Sequence, residues 1–260
     1  MHKLSQPAPP AAWHDCLKHI RQTIPIEAGR LETARWDAFR NEHQGVYTDA
    51  RDTLEVNQHG LCAYCEIKVS KVNRQIEHIL PKKDSNPEND LTFTFSNFAL
   101  CCNGGTVPYC RDKGAFDNTP NIAMNTSCGA KKGDKKPCLN PYDLPDYPLF
   151  CAQPDSNDKM LFFSPNKEAC EKSAISAELV TNTIRILSLN CPRLSRVRYE
   201  VWEEINEEID EIYDDQTLSD DERNEEFKLL IKKHLSPEIQ FYTTALLCVC
   251  HQLPDLVPHY

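Results

Sequence analysis

Seven of the 13 cysteines in this 260-residue chain fall between residues 61 and 150. Two of them stand in a C-x-x-C turn, Cys62-Ala-Tyr-Cys65. Such a turn with two later cysteines supplies four thiolates, the closed tetrahedral set of a structural zinc. The competing uses of cysteine fit less well. A chain of this length buries a core without covalent staples, and 13 is an odd number for a fully paired framework. Residues 1–12 are Pro/Ala-rich and lack the apolar core of a secretory leader. A cytoplasmic protein with reduced thiols is therefore expected. No apolar run approaches the ~18–20 residues of a membrane span. A thiol redox role for Cys62 and Cys65 finds no surrounding βαβ pattern.

The formal net charge of -10 is unevenly distributed. From Cys62 to Lys136, 11 Lys/Arg face 8 Asp/Glu, a net of +3; from Glu200 to Glu226, 14 acids face one Arg, a net of -13. Polyanion binding is thus compatible with the central segment and disfavoured beside the acidic one.

The apolar spacing divides the chain into three parts. Trp13, Leu17 and Ile20 predict a first helix, Leu31, Trp36 and Phe39 a second, and Val46 to Gln58 a third that ends at Gly60. Residues 61–140 carry short β-prone pieces (67–70, 75–80 and 91–95) and an insertion, 103–127, that is too long for an unsupported loop. Residues 141–170 read as Pro/Asp-rich loop with one strand, 160–164. Ile175, Leu179, Ile184 and Leu187 form a helical stripe. Val197, Val201, Ile205, Ile209 and Ile212 form another, with the acids on its solvated face. Ser236-Pro237-Glu238 reads as a final helix start. The expected organisation is a helical segment at 1–60, a core at 61–140 and a helical region at 141–260.

Five strings in the middle belong together: Cys62-Ala-Tyr-Cys65-Glu66, Ile76-Glu77-His78-Ile79-Leu80-Pro81-Lys82, Ser96-Asn97-Phe98-Ala99-Leu100, Cys101-Cys102, and Cys128-Gly-Ala-Lys131-Lys132-Gly133-Asp134. This order resembles HNH endonucleases of the ββα-metal type. Within them it is most similar to the HNH subunit of the Septu anti-phage system, which also serves as an effector in some retrons. The resemblance covers about 75 residues. Leu187 to Leu194 and Arg198 fit the same subfamily.

The resemblance implies an α+β, mainly helical protein around a zinc-stapled, treble-clef-like ββα-metal finger, with Cys62, Cys65, Cys102 and Cys128 as zinc ligands. Cys102 is preferred to Cys101 because it lies five residues after Asn97. Cys110 and Cys138 are rival ligands. His78 suits a general base, since its ordinary pKa of about 6.5 lets it take a proton near neutrality. The resemblance implies that Glu77 helps bind a catalytic Mg²⁺ or Mn²⁺, and that Asn97 braces the loop that orients the base. A regular strand points Glu77 and His78 to opposite faces, so a bend is expected there. Lys82, Lys131 and Lys132 are suited to phosphate contacts.

The chain departs from the pattern at Gly129, where a metal-binding His or Asn is usual; Asp134 and Asn103 are the candidate substitutes. Implied partners are a nucleic-acid substrate (DNA or tRNA), an ATPase subunit and, in retrons, a reverse transcriptase with its RNA–DNA product. The rival reading, favoured by Gly129, is a non-catalytic zinc-finger adaptor for nucleic acid or a partner protein.

Overall fold

Apolar residues at helical spacing fold the start of the chain. In the computed structural model, which describes residues 1–23, 32–105, 122–137, 139–236 and 239–256, α1 (Trp13–Thr23) buries Trp13, Cys16, Leu17 and Ile20. Helix α2 (Glu32–Glu42) buries Arg35, Trp36 and Phe39, and α3 (Gln44–Asn57) buries Ala50 and Leu54. Beyond α3 the backbone turns left-handed at His59 and Gly60, and the Gly60 amide donates to the Glu55 carbonyl at 2.8 Å. Glycine adopts that conformation without steric cost. The three helices meet through aromatic rings: the Trp13 ring of α1 lies 5.5 Å from Phe39 of α2, and Tyr47 of α3 lies 5.9 Å from Trp36 and 6.3 Å from Phe39.

The middle of the chain is a small antiparallel sheet with a short helix beside it. Strand β1 (Arg74–His78) pairs with β2 (Phe98–Cys102) in the register Ile76 to Leu100 and His78 to Phe98. Two short helices follow, α4 (Ile122–Asn125) and α5 (Cys128–Lys132). Residues 91–95, expected as a strand, form a turn instead. The amides of Phe93 and Thr94 both donate to the Asp90 carbonyl, which leaves none for a ladder. At 67–70 only one isolated bridge forms, Leu61 to Lys68.

The second half is a hairpin under helices. The region read as loop with one strand at 160–164 holds an additional strand, β3 (Phe150–Asp155), which pairs with the expected one, β4 (Met160–Pro165). Helices α6 (Lys167–Lys172), α7 (Ala177–Leu187), α8 (Pro192–Asp214), α9 (Asp220–His234) and α10 (Tyr242–Gln252) follow. The 23-residue α8 packs on β4 and α10 with Leu194, Trp202, Ile205 and Ile209 inward. Val197, Val201 and Ile212 of the expected stripe sit at its edges, partly buried. The acids of 200–226 belong to two helices, parted at Asp215 and restarted by a Ser219–Glu222 capping box. Pro237 and Glu238 lie outside the described residues, as do Leu31, Cys110 and Cys138. The last described helix begins at Tyr242.

The chain is thus mixed α+β and mainly helical, with two two-stranded sheets. Among the described residues, no helix is long and apolar enough to cross a membrane.

Candidate active site and thiol centre

The C-x-x-C turn is built by backbone and one buried amide. The Glu66 amide donates to the Cys62 carbonyl (2.9 Å) with Glu66 in a left-handed conformation, which closes the turn. The Cys62 amide reaches Ile67, and that of Ala63 reaches Leu100 of β2, both at 2.9 Å. Gln58, buried at the end of α3, then staples the turn to β2. Its Nε2 donates to the carbonyls of Leu61 and Leu100, and its Oε1 accepts from the Leu100 amide.

These bonds gather five buried thiols. The sulfurs of Cys62, Cys101, Cys102 and Cys128 lie within 4.8 Å of one another, a group able to hold a metal ion. Cys62 is 3.7 Å from Cys101, and Cys65 is 3.8 Å from Cys102. A tetrahedron with Zn–S bonds of about 2.3 Å has edges of about 3.8 Å, so the donor set fits zinc. Hydrogen bonds that favour thiolate reach two of the five: the Gly104 amide donates to the Cys102 sulfur (3.4 Å), and the Ser127 hydroxyl donates to that of Cys128 (3.5 Å). Arg193 backs Ser127 through Nη2 at 2.7 Å. Arg198, fully buried over the Phe163 ring, adds a second positive charge felt by Cys65 and Cys128. Cys101 thus stands in this group where Cys65 was expected, and Cys65 approaches it through Cys102. Among the remaining described cysteines, Cys16, Cys170, Cys191 and Cys248 are buried, and Cys151 and Cys250 are partly so.

Beside this centre lies a polar cleft of about 280 Å³ that takes in Glu77, His78, Lys82, Lys132 and Asp134, with Trp36 and Arg40 of α2 opposite. Strand alternation is kept. His78 turns toward α2, its ring 4.5 Å from Trp36 and 4.9 Å from Phe98, both edge-on. Glu77 turns toward α5. The expected bend is unnecessary, because the cleft takes in both side chains.

His78 Nε2 donates to the Thr92 carbonyl at 3.0 Å, which fixes the tautomer and leaves Nδ1 as the basic nitrogen. Burial, with Lys82 and Lys132 nearby, pushes its pKa down to about 3, so the ring is neutral at pH 7. Asn97 braces the loop between. Its Oδ1 accepts from the Leu80 amide (2.7 Å), and its Nδ2 donates to the Leu80 and Leu91 carbonyls (3.0 and 2.9 Å).

Sequence reasoning missed the support behind Thr92. Arg35 is fully buried and grips Asp90 through both nitrogens, at 3.1 and 3.0 Å. It also donates to Glu32 at 2.6 Å, and Glu32 in turn accepts from the Thr92 hydroxyl. Glu32 and Arg35 are an ordinary i,i+3 pair in the sequence, and Asp90 and Thr92, which complete the cluster, come from a distant segment, so it carries no local signal.

Gly129 has a steric reason. A Cβ there would lie 2.3 Å from Glu77 Oε2, so the carboxylate occupies the space a side chain would need. Lys132 corrects an expectation. Its side chain is 2% exposed and pairs with Glu77 Oε1 at 2.8 Å, rather than projecting for phosphate contact. Its neighbour Lys131 is exposed. Lys82 sits half-buried at the cleft. Asp134 reaches the cleft, whereas Asn103 lies in the turn after β2, its Oδ1 accepting from the Gly105 amide.

No protein-family profile matches this chain, and no solved structure does. Two curated relatives do. A protein of Escherichia coli named for the HNH endonuclease of retron Ec83 is 31% identical over 190 residues, 63% of this chain and 68% of its own length. Its counterpart named for retron Vc95, in Vibrio cholerae serotype O1 biovar El Tor, is 32% identical over 164 residues, 62% of this chain and 67% of its own. At that identity and coverage, the chain belongs to the retron-associated HNH endonuclease family.

Proposed function

We propose that this chain is a metal-dependent HNH endonuclease that hydrolyses phosphodiester bonds in DNA or RNA, tRNA included. Its nuclease core is 61–140, a zinc-stapled ββα-metal finger carried between helical segments 1–60 and 141–260. The observation that carries the reading is the fixed tautomer of His78: a neutral imidazole held by Thr92 with Nδ1 as the basic nitrogen.

The chemistry follows from the residues. His78 Nδ1 takes a proton from an attacking water as the water oxygen bonds to phosphorus and the bond to the leaving oxygen breaks. A pKa of about 3 makes a weak base. An arriving phosphodiester anion raises it, because opposite charge favours imidazolium. Asn97 holds the loop carbonyls of Leu80 and Leu91 and so positions Thr92 and the base. Glu77 offers a hard carboxylate oxygen at the cleft, a donor type that suits Mg²⁺ or Mn²⁺. Such an ion, when bound, supplies charge stabilisation at the phosphate and leaving oxygen. Lys82 and Lys131 contact the nucleic-acid backbone. Cys62, Cys65, Cys102 and Cys128 hold a structural zinc.

The resemblance to the Septu subunit and the retron names of the relatives support a place in anti-phage defence. We assign the chain as the effector of an ATPase–nuclease complex of Septu or retron type, working with a reverse transcriptase and its RNA–DNA product in the latter. Cleavage of plasmid DNA and total tRNA by wild type and His78→Ala, with Mn²⁺ and with EDTA, tests the reading. The variant is expected to keep zinc and fold while losing about 10²–10⁴-fold in rate. Equal turnover removes His78 from the chemistry. No cleavage by wild type, alone or with the ATPase subunit, favours the zinc-finger adaptor.

A further inference from the structure

The ammonium of Lys132 is the most completely bound cation of the cleft. It donates to the His78 carbonyl at 2.9 Å and the Gly133 carbonyl at 3.2 Å, and it pairs with Glu77 Oε1 at 2.8 Å. An ammonium has three N–H donors, and these three acceptors use them all. The side chain is buried at 2% exposure, and its carboxylate partner at 12%. Gly129 completes the pocket, since any side chain there would push Glu77 off the ammonium. The cleft therefore presents Glu77 with its charge already answered.

We infer that Lys132 is the resident counter-ion of Glu77, and that a divalent cation occupies the site only by taking that carboxylate over from the ammonium. The inference rests on the nuclease reading for its purpose and on the Lys132–Glu77–Gly129 geometry for its content. Two cations within bonding distance of one carboxylate repel strongly where water is scarce. Metal uptake is then a competition, and Lys132 sets its threshold. The pair also solves a folding problem, because an unpaired buried carboxylate beside the thiol centre would be costly. Lys132 is thus a positioning residue: through Glu77 it tunes the metal, and through the His78 carbonyl it ties α5 to the strand that bears the base.

Mn²⁺ titration of the zinc-loaded chain, read by the loss of the free-ion electron paramagnetic resonance signal, tests this directly. Lys132→Met removes the charge and keeps the length; it is expected to tighten Mn²⁺ binding roughly tenfold or more. The gain should vanish in Lys132→Met/Glu77→Gln. Unchanged or weaker binding by Lys132→Met overturns the inference. Should that variant misfold, the wild type decides: the Lys132 Nζ resonance shifts on adding Mg²⁺ if the carboxylate changes hands, and an unmoved resonance overturns the inference. A tightened Mn²⁺ site in a protein that cuts nothing supports the Lys132 competition and removes the nuclease reading. Unaltered Mn²⁺ affinity in an active nuclease does the reverse.

Discussion

At the scale of single residues, the thiol centre poses a choice that proximity alone does not make. Five sulfurs crowd a site with four ligand positions. Cys101 and Cys102 are adjacent on β2, yet both sulfurs reach the same group, within 4.8 Å of one another. Cys102 accepts the Gly104 amide and Cys128 the Ser127 hydroxyl, bonds that lower the cost of a thiolate. Cys65 meets Cys102 at 3.8 Å, the edge length of a zinc tetrathiolate. Cys101 meets Cys62 at 3.7 Å, an edge of similar length, so Cys65 and Cys101 are rivals for the fourth position. In the proposed set of Cys62, Cys65, Cys102 and Cys128, Cys101 is the bystander. Cys65→Ser is expected to lose zinc and unfold the core, since metal binding and folding are coupled in such fingers. Cys101→Ser should retain one zinc per chain and most of its stability. Zinc content after gel filtration against a weak chelator separates the two. Loss of zinc from Cys101→Ser, with retention by Cys65→Ser, would hand the fourth position to Cys101.

At the scale of elements, α2 is more than a cover for the core. Its inward face carries Trp36 against His78 and Arg35 into Asp90, so one helix packs the base and clamps the loop that holds the base's tautomer. Arg35→Met would leave Asp90 and Glu32 buried without their cation. The expected loss is about 3–5 kcal/mol, the usual result of removing one member of a buried ionic cluster. Urea denaturation measures it, and the His78 ring ¹⁵N shifts report whether the Nε2–H tautomer survives. A loss below about 1 kcal/mol would show that the cluster is solvated.

The elements themselves were unevenly legible. Helices α1 and α8 declare themselves by spacing because each buries one face; in α7 the expected stripe is shifted, since Leu179 is exposed and Val180 is buried instead. Strand β3 does not declare itself, since Pro154 and the surrounding acids and prolines read as loop. A two-stranded hairpin has only edge strands, and Pro154 is tolerated there without a donor amide. Leu91 to Phe95 alternates like a strand, yet Asp90, fixed by Arg35, captures its amides into a turn. The candidate site divides in the same way. Glu77, His78, Asn97 and the cysteines lie in contiguous strings and could be singled out. Arg35, Asp90 and Gln58 act across long sequence separations and left no local trace.

At the scale of the whole molecule, charge decides how a nuclease of this shape would meet its substrate. The -10 net charge is carried by the stretch 200–226, whose acids line α8 and the first turns of α9. The central segment offers only +3, and one of its lysines, Lys132, is committed to Glu77. Among the described residues, the exposed lysines of that segment, Lys68, Lys71, Lys83, Lys131, Lys135 and Lys136, are offset by its acids, as Lys136 is by Asp84 at 3.0 Å. Lys82 is half-buried and drawn toward Asp37, Glu77 and Asp134. Each phosphate neutralised adds about 0.7–0.9 to the salt slope, and a strong binder needs many. The isolated chain is therefore expected to bind a 20-nucleotide strand more weakly than about 10⁻⁶ M at physiological salt, with a shallow slope. Lys131→Ala should lower that slope by about one. Fluorescence anisotropy across a salt series measures both, alone and with the proposed ATPase subunit added. Tight, steeply salt-dependent binding by the chain alone would place the affinity here. Weak binding that the partner rescues makes the proposed cutting subunit dependent on another protein to be shown its substrate, which keeps such a nuclease harmless until that partner acts.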